Sequence, residues 1–295
     1  MSTLKNKIDF AGIVSVNHAN PNGDPLSGNR PRVTYDGSGE MSDVSIKRKI
    51  RNRLMEMGQS IFVQSDDSKV DDYPSLRARA EGELGKDVWK DRDLAIKGSC
   101  NKWIDVRAFG QVFAYSAEKN EEGVSIGIRG PVSIHSAFSK SRLEASSLQI
   151  TKSVNNEDNK KDINKKTPDT MGMKHRVDHG VYVFCGAINP QLASKTWFKD
   201  EDAKAIKNAL EHLFDNDVSS ARPEGSMEVV AVFWWQHSVK HGQYSSAVVH
   251  RSLSVAPKEG VADPKQIGDY SIKLKCLSGL TPEIFNPTNV VIDRV

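Results

Sequence analysis

Only three cysteines occur in 295 residues, Cys100, Cys185 and Cys276, and no two are near each other. Without a Cys-x-x-Cys pair or a histidine at metal spacing beside them, neither a structural zinc site nor a disulfide framework has support. No metal or cofactor is expected. Three scattered thiols fit a reducing compartment, so the expected location is cytoplasmic. No apolar run approaches the ~20 residues of a bilayer span, and the opening Met-Ser-Thr-Leu-Lys-Asn-Lys lacks the apolar segment of a signal peptide, so no membrane partner is expected. There is no P-loop, no dinucleotide fingerprint and no Gly-x-Ser-x-Gly elbow. The aromatic signature of ordinary RNA-recognition motifs is missing too. Net charge is only +3, so the totals do not point to nucleic acid.

The distribution of charge says more than its sum. Residues 1–53 hold nine Lys/Arg against five Asp/Glu, and residues 140–176 repeat that ratio, whereas residues 66–93 hold six against nine. Basicity is thus concentrated in two segments. The first contains a turn-rich loop with Arg30 and Arg32, then the helical pattern Ser42-Asp-Val-Ser-Ile-Lys-Arg-Lys-Ile-Arg51. Amides, Arg forks and Lys ammoniums this close together suit phosphate.

Ile8 to Asn17 alternates with period two and predicts a strand with one buried face. Pro21, Asn22-Gly23, Pro25, Gly28 and Pro31 then forbid regular structure and set a rigid loop. Ser42 caps a helix expected from Asp43 to about Met57, stopped by Gly58. Ile46, Ile50, Leu54 and Met57 form its buried stripe, flanked by Lys47 and Arg51 on one side and by Lys49 and Arg53 on the other. Residues 60–105 are acidic and partly helical (74–84, 88–96) and read as an insertion. Strands are expected at 106–115, 124–128, 132–137, 148–154 and 181–188. The polar stretch Asn155–Asp178 reads as a protrusion or mobile loop. A helix at Asp200–Phe214 and a strand at Met227–His237 follow, with Trp234-Trp235 placed one ring in and one out. The Gly- and Pro-containing tail from Ala256 offers one strand at Tyr270–Cys276. Stripped of insertions the order is βαββαβ, an α+β ferredoxin-like pattern used by RNA-recognition modules.

Each chemical motif has a plain reading beside the functional one. The basic helix is either a solvated surface or, with Arg30 and Arg32 beside it, a phosphate-tracking edge. The Asn20-Pro-Asn-Gly-Asp-Pro loop is either a pair of tight turns or a set of amides that meet phosphate while Asn20 and Asn22 touch sugar or base. Arg129, between Gly127 and Gly130, ends a strand or lets backbone approach an RNA strand. His175 and His179 are read as contacts to RNA or solvent. Asp24 and His18 invite a catalytic story, with Asp24 holding a metal or acting as a base, but no second carboxylate, Lys or His stands at useful spacing.

The run from Asn20 to Arg32, the helix from Ser42 to Arg51 and Thr170-Met-Gly-Met-Lys-His175 before a Gly-Val-Tyr strand resemble one family. Ala221-Arg222 before the Met227 strand also fits. The family is the repeated backbone subunit of type I CRISPR effector complexes (Cascade), most like the type I-C form. The resemblance implies a modified RNA-recognition fold shaped like a right hand, a single domain over 1–295. The palm would be 8–57, 106–147 and 179–295, the helical fingers 60–105, and the thumb a β-hairpin at 148–178. It implies copies stacked head-to-tail on a guide RNA (crRNA), which stays free to pair with target DNA. Other implied partners are capping, large and small Cascade subunits and a recruited helicase-nuclease. The subunit would be non-catalytic; the alternative is a metal-dependent endoribonuclease subunit using Asp24. Carried over by motif, the RNA-facing residues are Asn20, Asn22, Arg30, Arg32, Ser42, Lys47, Arg48 and Arg51, with Thr151, Lys152 and Ser153 at the thumb base and Lys174 and His175 on its returning arm. Arg129 joins them from its own glycine-flanked motif. Met173 stands where the family pattern leads one to expect Arg or Lys, which argues against a phosphate contact there.

Overall fold

Strand Ile8–Ala19 (β1) is the axis of the chain, and every residue from Ile8 to Val16 is buried. The computed structural model describes residues 2–115, 123–151 and 171–295. The expected single buried face of β1 is therefore two. The strand is hydrogen-bonded on both edges, and both faces of its sheet are covered.

After β1 come Gly23–Asp24 (β2), Arg30–Pro31 (β3), Ser38–Met41 (β4) and helix Asp43–Glu56 (α1). Helices Leu76–Leu84 (α2), Arg92–Lys102 (α3) and Ile104–Phe109 (α4) precede a hairpin, Gly110–Tyr115 (β5) and Val124–Arg129 (β6). Val132–Ile134 (β7), Ala137–Arg142 (β8) and Ala145–Thr151 (β9) lead to the long strand Met171–Ile188 (β10). Pro190–Thr196 (α5), Asp200–Glu211 (α6), Met227–Gln236 (β11) and Ser246–Ser252 (α7) follow. Leu253–Pro257 (β12), Tyr270–Leu274 (β13), Glu283–Phe285 (β14) and Ile292–Arg294 (β15) end the chain. The large sheet runs β14-β11-β1-β10-β8-β4, with β7 and β9 also paired to β10, and every pairing is antiparallel. It is a mixed α/β fold, and among the described residues no helix is long and apolar enough to cross a membrane.

One sheet face carries Phe10, Val14, Tyr182, Phe184 and Trp234 beneath Ile46, Ile50 and Leu54 of α1 and Ile206 and Leu210 of α6. The opposite face carries Ala11, Ile13, Val181, Phe233 and Trp235 beneath Val249, Val255, Tyr270, Ile272 and Leu274. The region from Ala256 is thus more than a tail with one strand: β12, β13 and β15 form a small sheet that closes the second face. Both tryptophans are consequently inside, at 4% and 1% exposure, where one-in-one-out was expected. Trp234 stacks on Phe10 and Trp235 on Phe233, at 5.6 and 5.8 Å between centroids.

A third cluster joins Phe62, Trp89 and Trp103 to Phe113 and Ile126 of the β5–β6 hairpin. Residues 106–115 and 124–128 pack with the insertion, and the chain rejoins the main sheet at β7. Residues Val106–Phe109, expected as strand, are helical because α4 presents Ile104 and Ala108 to the main core and Val106 to the insertion core. In the second basic segment, β9 pairs residue by residue with Met171–Val177 of β10. Of the expected protrusion, 155–170 lies outside the described residues, and Met171–Asp178 is regular strand rather than loop. The loop 21–31 is also more regular than expected: β2 pairs with β3 around a single 3₁₀ turn, Pro25–Ser27.

Candidate nucleic-acid interface

The loop between β1 and α1 is built from its own amides. Asn20 is buried; its backbone N–H donates to Ala221 O at 2.9 Å, and its side chain donates to Asn29 O at 2.7 Å. Asn22 accepts Arg32 N–H on its carbonyl at 3.0 Å and Ser42 N–H on Oδ1 at 2.9 Å. One asparagine therefore ties the loop to the cap of α1. Ser42 then accepts Ser45 N–H, as expected of an N-cap. Asp24 caps the 3₁₀ turn, accepting from Leu26 N–H at 3.2 Å and Ser27 Oγ at 2.9 Å. A Cβ at Gly23 would run into the Asn29 side chain, which would have to swing aside for any larger residue there.

The cations on this frame fall into two groups. Arg30 is exposed and has no ion pair with a described residue. Arg32 lies 3.6 Å from Asp24, Lys47 pairs with Asp43 one turn back at 2.8 Å, and Arg48 reaches the exposed Asp67 at 3.4 Å. These three cations are half-buried, and pairs that keep this much contact with solvent hold their charges weakly and leave them available to a stronger anion. Lys49 and Arg51 face inward. Lys49 is 5% exposed and bonded to Asp217. Burial pushes its ammonium down to about 8, with Asp217 opposing that shift. Arg51 donates from Nε to the buried Asp105 at 2.9 Å and lies over the Phe109 ring. Asp105 also accepts Phe62 and Val63 N–H, so Arg51 is part of the joint between α1 and the insertion. The expected flanks of the helix are thus unequal: Lys47 and Arg48 look out, Lys49 and Arg51 are internal.

The arm of β9 and β10 springs from the same end of β1. His18, at φ +50°, sets its Nδ1 3.3 Å from Asp178, and Asn17 Oδ1 lies 2.7 Å from His179 Nδ1. Asp178 also accepts from Ser146 and Arg176, and these bonds, Ser146 foremost, hold its carboxyl below the usual range. His179 is 9% exposed, where contact with RNA or solvent was expected, and burial pushes its imidazole down. His175 lies farther out, 2.8 Å from Ser147 Oγ. Lys174 is exposed opposite Leu148, and Thr151 opposite Met171. Lys152 and Ser153 lie outside the described residues. Arg129 ends the β5–β6 hairpin, and no hydrogen bond or ion pair joins it to α1 or the loop among the described residues. Asn20, Asn22, Arg30, Arg32, Ser42, Lys47 and Arg48 are therefore brought together, Thr151, Lys174 and His175 line a neighbouring arm, and Arg129 stands apart. Sequence reasoning names His18 beside Asp24 but misses its partner Asp178, 160 positions away, for which the sequence holds no signal.

The comparisons fall on one group of proteins. The family profile described as "CRISPR-associated protein Cas7" matches residues 6–275. The CRISPR-associated protein Cas7 of Haloferax volcanii is 22% identical over 238 residues, 75% of this chain and 67% of its own. Two solved structures are similar in shape. One, from a CRISPR RNA-guided surveillance complex described as pre-nicking, has 12% identity and a TM-score of 0.44 and covers 78% of each chain. The other, from a CRISPR RNA-guided surveillance complex, has 16% identity and a TM-score of 0.42 and covers 78% of this chain and 68% of that one.

Proposed function

This chain belongs to the CRISPR-associated Cas7 family, and on that premise we propose that it is a guide-RNA-binding backbone subunit of a CRISPR surveillance complex. It binds the sugar-phosphate backbone of the guide, oligomerises head-to-tail along it and presents the bases to target DNA. The form is type I-C, working with capping, large and small Cascade subunits and a recruited helicase-nuclease in the cytoplasm. The observation that carries this reading is the loop–helix junction: Asn20 and Asn22 spend their amides on internal bonds, and that frame carries Arg30 exposed with Arg32, Lys47 and Arg48 half-buried at the surface. Cations on a rigid frame, in a chain without the aromatic RNA-recognition signature, fit a sequence-independent backbone binder. The strand order β11-β1-β10-β7, with α1 and α6 on one face, supports the ferredoxin-like palm. The insertion with its own core supports the fingers, and the β9–β10 arm supports the thumb.

The reading is non-catalytic. Asp24 is committed to two cap bonds and lies near Arg32, which favours a turn-forming role over a base or metal ligand. Two measurements test it. Lys47→Ala with Arg48→Ala weakens binding to all single-stranded RNA sequences alike and flattens the salt dependence by ~0.7 log–log unit for each phosphate no longer neutralised. An effect confined to one RNA sequence contradicts backbone tracking. Mg²⁺-dependent cutting of guide-paired RNA that vanishes in Asp24→Asn would establish the endoribonuclease alternative.

A further inference from the structure

One half-buried side of α1 borders a cleft that begins at the loop. This cleft of about 510 Å³ runs between this side, the segment 67–70 of the insertion and the turn 213–222 after α6. Arg48 and Asn52 stand on the helix wall, Ser219 and Arg222 on the facing wall, and Gly23 at the mouth beside the loop. Arg222 is set by an ion network: its Nε donates to Asp217 at 3.1 Å, and the same carboxylate holds the buried Lys49. Lys49 also lies over the Phe214 ring. The turn is pinned to the loop from the other side by Asn20 N–H on Ala221 O.

The charges along the cleft are asymmetric. At the far end Glu56 and Asp215 answer Arg53. At the end near Gly23, two cations, Lys49 and Arg222, share one carboxylate. Arg48, beside Lys49 and on the wall facing Arg222, has only Asp67 as an ion-pair partner among the described residues, and that side chain is 87% exposed. That half carries an uncompensated positive charge between walls of restricted solvent access, where an anion is attracted more strongly than on an open surface.

We propose that this half-cleft seats a phosphodiester of the single-stranded guide, gripped between Arg48 on α1 and Arg222 on the facing turn. Lys49 and Asp217 are positioning residues that aim Arg222. The inference rests on the RNA-binding reading above and deepens it: the strand enters a two-jawed cleft instead of lying only on the outer edge of α1. A planar guanidinium on each side matches the paired oxygens of one phosphate.

The test is fluorescence polarisation of the full chain with a labelled single-stranded RNA oligonucleotide over a salt series. Arg222→Ala weakens binding about tenfold or more and flattens the log–log salt slope by ~0.7, the value of one neutralised phosphate; Arg222→Lys restores most of the slope. Asn52 accepts from Arg48 Nε at 3.1 Å, so Asn52→Asp keeps that bond and the shape of the wall while neutralising the cation. It weakens binding to a comparable degree with an unchanged melting temperature, which separates the effect from misfolding. In Lys49→Met the slope is already flattened, and adding Arg222→Ala changes it no further, which a purely structural Lys49 would not produce. If Asn52→Asp and Arg222→Ala bind with wild-type affinity and slope while Arg30→Ala with Lys47→Ala weakens binding, the cleft is overturned and the RNA-binding reading stands. If the wild-type chain binds no RNA at low salt, both fall.

Discussion

Lys47 and Lys49 are two positions apart on one helix and serve different ends. A rotation of roughly 200° between them puts Lys47 beside solvent and Lys49 against Asp217 and Phe214. Their substitutions should differ in their effect on stability. Lys47→Ala costs no more than about 0.5 kcal/mol of stability, the value of an exposed i,i+4 pair, and its effect is read in RNA affinity. Lys49 carries a pH signature. Its ammonium titrates at about 8 in the fold against ~10.4 when unfolded. Between those values the native state has lost the proton and the unfolded state keeps it. Unfolding therefore takes up a proton, and this group makes stability rise with pH from about 8 to 10.4. Urea titrations at pH 7.5, 9 and 10 should show that rise in the wild type relative to Lys49→Met; parallel curves for the two proteins would contradict a buried, depressed ammonium. Cys100, buried with its thiol pushed up to about 12, should resist alkylation in the native state, while the exposed Cys276 reacts.

At the scale of elements, α1 depends on Ser42, whose side chain and backbone join helix and loop. Ser42→Ala should cost about 1 kcal/mol by removing the cap, and Ser42→Gly less; equal melting temperatures for all three proteins would count against this. The β5–β6 hairpin depends on Gly110, at φ +80°, where a Cβ would collide with the Ile128 carbonyl. Gly110→Ala should therefore lower stability by about 1–3 kcal/mol, seen first as faster hydrogen exchange in 110–129.

The elements legible in the sequence are those with a strong period and a local cap. β1, α1 with Ser42 and Gly58, α6 with Ala203, Ile206 and Leu210, and β11 all lie close to where their patterns place them. The misreadings share one cause, packing partners remote in sequence. Lys49 and Arg51 read as flanking cations on a helical wheel, and only Asp217 and Asp105 make them internal. One ring of the Trp234-Trp235 pair reads as exposed because the cover over Trp235, β12 and β13, comes from short strands separated by Gly and Pro. Val106 to Phe109 alternates well enough for a strand, but two cores claim opposite sides of it. In the candidate site the loop and Arg48 are legible from residue type; Arg222 becomes a facing jaw only through the fold.

At the scale of the whole molecule, both faces of the main sheet must stay covered, and histidines stand where the covering layer meets it. Asp9, fully buried on β1, receives Lys7 at 3.1 Å and His237 at 2.8 Å, with His250 of α7 at 3.6 Å. Burial pushes His250 down, as it does His179 beneath Tyr270. A histidine whose native value is depressed binds its proton more readily when unfolded. These two groups therefore leave stability intact above the unfolded value of ~6.5 and remove it as pH falls below that. The melting temperature should drop between pH 7 and pH 5, and less so in His250→Gln; an unchanged profile in that variant would mean that His250 does not contribute.

A subunit that tracks phosphates without reading bases should assemble by the length of its RNA. The measurement to make first is light scattering with an absorbance ratio on the chain co-expressed with its CRISPR array. A discrete particle is expected, holding several protein copies on one intact RNA, with the copy number increasing when the guide is lengthened. RNA-free monomer, or RNA shortened to fragments in a Mg²⁺-dependent way, would contradict the scaffold role and favour a lone domain or a nuclease.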